Sequence, residues 1–155
     1  MKKIFSIVMM FIIVMSLSAC STAQNSNAKY SFYGESDEVA ISNGAITITD
    51  AKSVFSGGNL ETKNLEDIIY HRAIFYTIID GKETPIHIDE MNNTSNIKFI
   101  EMDLGAIEDT NLNVIKTFER IEEIKSNFWC DIKITYSNND SKTYKVPLTL
   151  IEITE

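Results

Sequence analysis

The chain has 155 residues, 44% of them hydrophobic and 23% charged, with a formal net charge of -8. That length holds one domain plus a leader, and the balance of apolar and charged residues is that of a globular protein. The acidic surplus weighs against a nucleic-acid partner, which needs clustered cations, and against a folded face lying on anionic lipid. There are 24 isoleucines and only two prolines. Isoleucine packs well on a pleated surface through its branched Cβ, so strands are expected to dominate.

The N-terminal stretch reads MKKIFSIVMMFIIVMSLSAC. Lys2 and Lys3 are followed by an apolar run from Ile4 to Leu17 and then by the small residues Ser18 and Ala19. This is the layout of a secretory signal peptide. As a helix the apolar run spans roughly 21 Å, short of the about 30 Å core of a bilayer. The residues Leu17-Ser18-Ala19-Cys20 resemble the lipobox of bacterial lipoproteins. The resemblance implies a diacylglycerol group on the Cys20 thiol, cleavage between Ala19 and Cys20, and a protein held at the outer face of the cell membrane by its lipid. Residues 1–19 are then the signal peptide, 20–28 the lipidated cysteine with a flexible tether, and 29–155 the folded domain. Losing Lys2 and Lys3 moves the net charge from -8 to -10, so the lipid has to supply the membrane affinity.

Alternation begins in the folded part. Val39 and Ile41, then Asn43-Gly44, then Ile46 and Ile48 predict a two-residue hairpin, with Ile41 opposite Ile46 and Val39 opposite Ile48. VFSGGNL ends a strand at Phe55, and Gly57-Gly58 reads as a bulge or turn, since no P-loop lysine follows. A second hairpin turns at Asp80-Gly81 and pairs Ile79 with Lys82. Continued without a break, that register sets Phe75 against Ile86, Tyr76 against Pro85, Ile74 against His87 and Arg72 against Asp89. Pro85 places its strand at an edge or at an irregularity.

Ile97 to Leu104 reads as a strand with Ile100, Met102 and Leu104 on one side. The period then changes: Val114, Phe118, Ile121 and Ile124 share one face of an amphipathic helix from about Asn111 to Lys125. Strands return with Phe128, Cys130, Ile132, Ile134 and Tyr136. After the polar turn SNNDS come Tyr144, Val146, Leu148 and Leu150, with a phase break at Leu150-Ile151 that signals a bulge or a strand changing sheets. The expected fold is mainly β, an antiparallel immunoglobulin-like β-sandwich with one amphipathic helix. The alternative is an α+β domain with the helix packed on one sheet.

Catalytic signals are weak. Cys130 sits among apolar residues and reads as a buried, inert thiol. No disulfide is expected, because Cys20 is taken by the lipobox. Gly34-Glu-Ser36 lacks the second glycine of a nucleophile elbow. The acidic loops around Asp89 and Asp140 do not have EF-hand spacing. No catalytic set, metal or cofactor is expected. The candidate site is a surface patch of Arg72, Ile74, Tyr76, Ile78, His87 and Asp89, which the unbroken register places on one strand face. Trp129 can extend it. With the stretches FYGES and FSGGNL, the chain resembles small Gram-positive lipoproteins that carry a lipid-tethered β domain. The expected function is a non-enzymatic binding or accessory module for an envelope protein. A hydrolase or metal-dependent enzyme, and an inhibitor or immunity lipoprotein, are the alternatives.

Overall fold

The computed structural model describes residues 28–49, 52–63, 65–92, 101–109 and 121–154. The leader, Cys20 and the tether as far as residue 27 lie outside the described residues, as do Ile100, Val114 and Phe118. Eleven strands are described: β1 (Ala28–Glu35), β2 (Val39–Ile48), β3 (Ser53–Ser56), β4 (Asn59–Thr62), β5 (Ile68–Ile79), β6 (Lys82–Asn92), β7 (Glu101–Asp103), β8 (Ala106–Asp109), β9 (Phe128–Tyr136), β10 (Ser141–Pro147) and β11 (Thr149–Glu152). A short helix, α1 (Ile121–Ser126), precedes β9.

The strands form two antiparallel sheets. One has seven strands: β11, β1 and β2 in order, then β3 and β4 side by side along β2, backed by β8 and β7. The other has four, in the order β10-β9-β5-β6. Their inner faces meet in one core, the β-sandwich that the alternation predicts. Four phenylalanines fill its centre. Phe32 lies 5.4 Å from Phe55, 5.8 Å from Phe75 and 5.1 Å from Phe128, and Phe55 lies 5.0 Å from Phe75. Such ring pairs add about 0.5–1.5 kcal/mol each beyond area burial.

The Asn43-Gly44 hairpin is overturned. Both residues lie inside β2, which runs on to Ile48. Val39 and Ile41 occupy odd positions and Ile46 an even one, yet all three are buried. A hairpin restores that phase, but so does a bulge, and here the positive φ of Asn43 (58°) makes the bulge. Gly44 faces Phe32 across the β1–β2 ladder, and a Cβ there would lie 2.1 Å from the Phe32 ring. The irregularity crosses the sheet from β1 to the β7–β8 edge and leaves the β11 ladder in register. On β1 the register shifts between Phe32 and Gly34. Gly57-Gly58 separates β3 from β4, and Leu104-Gly105 separates β7 from β8. These two breaks bond to each other, Gly57 N–H to the Gly105 carbonyl at 2.9 Å and Leu104 N–H to the Gly58 carbonyl at 2.8 Å. The result is a crease across the sheet over the phenylalanine cluster.

The Asp80-Gly81 hairpin holds, with positive φ at both residues and Ile79 paired with Lys82. Its register holds as far as Tyr76 opposite Pro85 and then slips, so that Phe75 faces His87 and Ile86 is the extra residue of a bulge. β10 and β11 are one chain run that changes sheets. The change falls at Leu148, whose N–H bonds to the Phe128 carbonyl at 2.9 Å, two residues before the phase break read from the sequence. Of the expected helix, Ile121–Ser126 is described, with Ile124 fully buried. Met102 and Leu104 are both buried, as the strand read there requires.

Candidate functional site

β5 is the third strand of the four-stranded sheet, and its period of two decides which side chains leave the core. Ala73, Phe75 and Thr77 point inward and are buried. Arg72, Ile74, Tyr76 and Ile78 point outward, so these four of the six candidate residues stay together.

The other two do not. The bulge at Ile86 turns His87 and Asp89 to the inner side, because one extra residue exchanges the faces of everything beyond it. The His87 ring stands 5.3 Å from Phe55 and 6.1 Å from Phe75, and its Nε2 is 3.1 Å from the Leu104 carbonyl. Asp89 meets His71, which is 2% exposed, with an Nε2 to Oδ2 distance of 3.1 Å. The expected Arg72–Asp89 pair is therefore replaced. Glu90 stands opposite Arg72 at 3.7 Å, and Ile88 stands opposite Ile74. His71, Asp89 and His87 pin the edge of β6 to the Leu104-Gly105 link of the other sheet.

The outer face is built in rows across the strands. Thr143, Lys133, Arg72 and Glu90 form one row, and Lys145, Asp131, Ile74 and Ile88 the next. Pro147, Trp129, Tyr76 and Pro85 form a third. Tyr76 is only 4% exposed, with Trp129 beside it and the Lys145 ammonium 5.5 Å from its ring centre. The same ammonium is 5.1 Å from the Trp129 ring, a cation–π contact to both aromatics. The Tyr76 hydroxyl donates to Asp131 Oδ1 at 3.1 Å. Burial holds its phenol above the ordinary value, opposed by the hydrogen bond with Lys145. Ile88 is 47% exposed beside the half-buried Ile74. An ordinary solvent face of an antiparallel sheet is polar, and this one has an aliphatic and aromatic centre.

A second polar arrangement lies at the pole around the β1–β2 turn. The Lys142 ammonium donates to the Glu38 carboxylate and sits 4.8 Å from the Tyr144 ring centre. The Tyr144 and Tyr136 hydroxyls are 3.0 Å apart. Hydrogen bonds from Lys142 and Tyr144 hold Glu38 below the usual carboxylate range. Burial, then the Tyr136 hydroxyl, push the Tyr144 phenol far above its ordinary value. The cavity beside them measures about 290 Å3 and is lined by Ser36, Asp37, Glu38, Lys142, Tyr144 and neighbours. Sequence reasoning missed this group. Glu38 and Lys142 are 104 residues apart, and no local pattern joins them.

Cys130 is completely buried, and desolvation raises its thiol well above the ordinary value. Its sulfur is therefore protonated and shielded at neutral pH, as its apolar neighbours in sequence predict. Among the described residues no three His, Cys, Asp or Glu side chains converge on a metal-sized site, and no helix is long and apolar enough to cross a membrane. No family model, curated protein or solved structure matches the chain.

Proposed function

We propose that this is a lipid-anchored protein of the outer face of the cell membrane, and that its β-sandwich is a non-enzymatic binding module working through the outer face of the four-stranded sheet. The observation that carries the reading is the composition of that face. Ile74, Ile78, Ile88, Trp129, Pro85 and Pro147 stand where solvent-facing strand positions normally carry polar side chains. Aromatic and aliphatic side chains at the centre of a charged rim are the anatomy of a protein contact surface. The Lys145 clasp on Trp129 and Tyr76 holds two large rings in place before any partner arrives, which lowers the ordering cost of binding.

The address rests on Leu17-Ser18-Ala19-Cys20. Its test is metabolic labelling with a palmitate analogue. Label should enter the wild-type chain and not Cys20→Ala, and label on Cys20→Ala would refute the anchor. The face is tested by placing a photoreactive side chain at position 88 or at position 47, on the outer face of the other sheet, in intact cells. Crosslinks from 88 and not from 47 support the assignment. Crosslinks from 47 alone move the binding surface to the seven-stranded sheet.

A further inference from the structure

Two cations of the binding face stand side by side. Arg72 of β5 and Lys133 of β9 are direct cross-strand neighbours, an arrangement of like charges that costs stability. The acidic groups on the face are already engaged. Asp131 accepts from the Tyr76 hydroxyl, and Glu90 accepts from the Tyr70 hydroxyl at 3.2 Å. Glu90 also forms a loose, exposed ion pair with Arg72 Nε at 3.7 Å, longer than a hydrogen bond. Glu83 lies opposite Ile78, two rows beyond Ile74. Lys145 is occupied by the two aromatic rings. Lys133 therefore has no acidic partner among the described residues, and Arg72 Nε is shielded from water without an acceptor. The rest of the guanidinium is open to solvent, with the Arg72 side chain 43% exposed.

We propose that this face receives an extended segment of a protein partner that carries a carboxylate and, two residues on, an aliphatic side chain. The carboxylate sits between Arg72 and Lys133, and the aliphatic group sits on Ile74 and Ile88. The spacing follows from the strand itself. Arg72 and Ile74 are two residues apart on β5, about 6.6 Å, which is also the step between side chains on one side of an extended peptide. The guanidinium fork suits a planar carboxylate, and the neighbouring ammonium adds charge without imposing geometry. The inference rests on the reading of this face as the binding surface.

Trp129 is the only tryptophan of the chain, so its fluorescence reports on this face alone. The full chain in neutral detergent micelles is titrated with a synthetic peptide of repeating Glu-Ser-Ile-Ser, with its Gln-Ser-Ile-Ser counterpart, and with vesicles containing anionic lipid. The Glu peptide should give a saturable change in emission. Arg72→Gln and Lys133→Gln should each weaken it about tenfold, the loss of one charge-assisted hydrogen bond. Lys52→Gln, on the other sheet, should leave it unchanged. Equal responses to the Glu and Gln peptides would overturn the carboxylate assignment and leave the binding face standing. Silence with both peptides would overturn the assignment, and the face itself then stands or falls by the crosslinks from position 88. A response to anionic vesicles alone would assign the cations to lipid and refute a protein segment.

Discussion

Gly44 and Gly81 are required for different physical reasons, and substitution separates them. Gly81 has φ 73° and open space where a Cβ would project, so Gly81→Ala should cost only the left-handed penalty, about 1–2 kcal/mol. Gly44 lies against the Phe32 ring, so Gly44→Ala should overpack the core by about 1–3 kcal/mol or more. Shrinking the ring with Phe32→Leu should recover part of the Gly44→Ala loss and none of the Gly81→Ala loss, as read from urea midpoints in a double-mutant cycle. Cys130 supports a pH prediction. Its folded pKa is raised, so the stability it contributes is full below the unfolded thiol value and is lost as pH rises from that value toward the folded one. Above about pH 8.5 the wild type should therefore lose up to about 1.4 kcal/mol per pH unit from this group. Cys130→Ala, less stable at neutral pH, should show a flatter decline between pH 8.5 and 9.5, before the tyrosines contribute.

At the scale of elements, the described turns of α1 are held by packing more than by their own backbone, as helices in proteins mostly are. Its described turns depend on Ile124, which is fully buried. Ile124→Ala should cost about 2–5 kcal/mol in urea denaturation, whereas Glu122→Ala, an exposed helix position, should stay within about 0.5 kcal/mol. The strands show what was legible in the sequence and what was not. The Asp80-Gly81 hairpin was readable because its turn chemistry and the pairing beside it are local. Asn43-Gly44 misled because the positive φ that makes a hairpin also makes a bulge, and the longer-range pairing of β1 on both sides of it, Tyr30 with Ile46 and Gly34 with Ile41, distinguishes them. Pro85 signalled an edge or an irregularity, and β6 is an edge strand with its bulge at the next residue; the alternation of Ile86 and Ile88, which is that of a regular strand, hid where the register slips. The whole error in the candidate patch follows from that one residue: His87 and Asp89 left the patch, and Ile88 and Glu90 joined it. The Glu38–Lys142–Tyr144 group was invisible because its parts meet only after both sheets have assembled.

For the molecule as a whole, the run from β10 through Leu148 into β11 belongs to both sheets, and the phenylalanine cluster is shared between them. Neither sheet should open without the other. Trp129 fluorescence, which reports the four-stranded sheet, and far-UV circular dichroism, which reports all strands, should give superimposable urea curves. A displaced pair of curves would show that the sheets separate. The chain ends of the described domain also meet at one pole, where Ile153 N–H bonds to the Lys29 carbonyl at 2.8 Å. The position of β1 has a mechanical consequence. A pull applied at Ala28 enters the domain through β1, which is paired along its length with β2 on one side and from Tyr30 to Tyr33 with β11 on the other. A load applied along its axis is shared by both ladders in shear instead of opening them rung by rung. The strand that takes the pull is thus clamped on both sides.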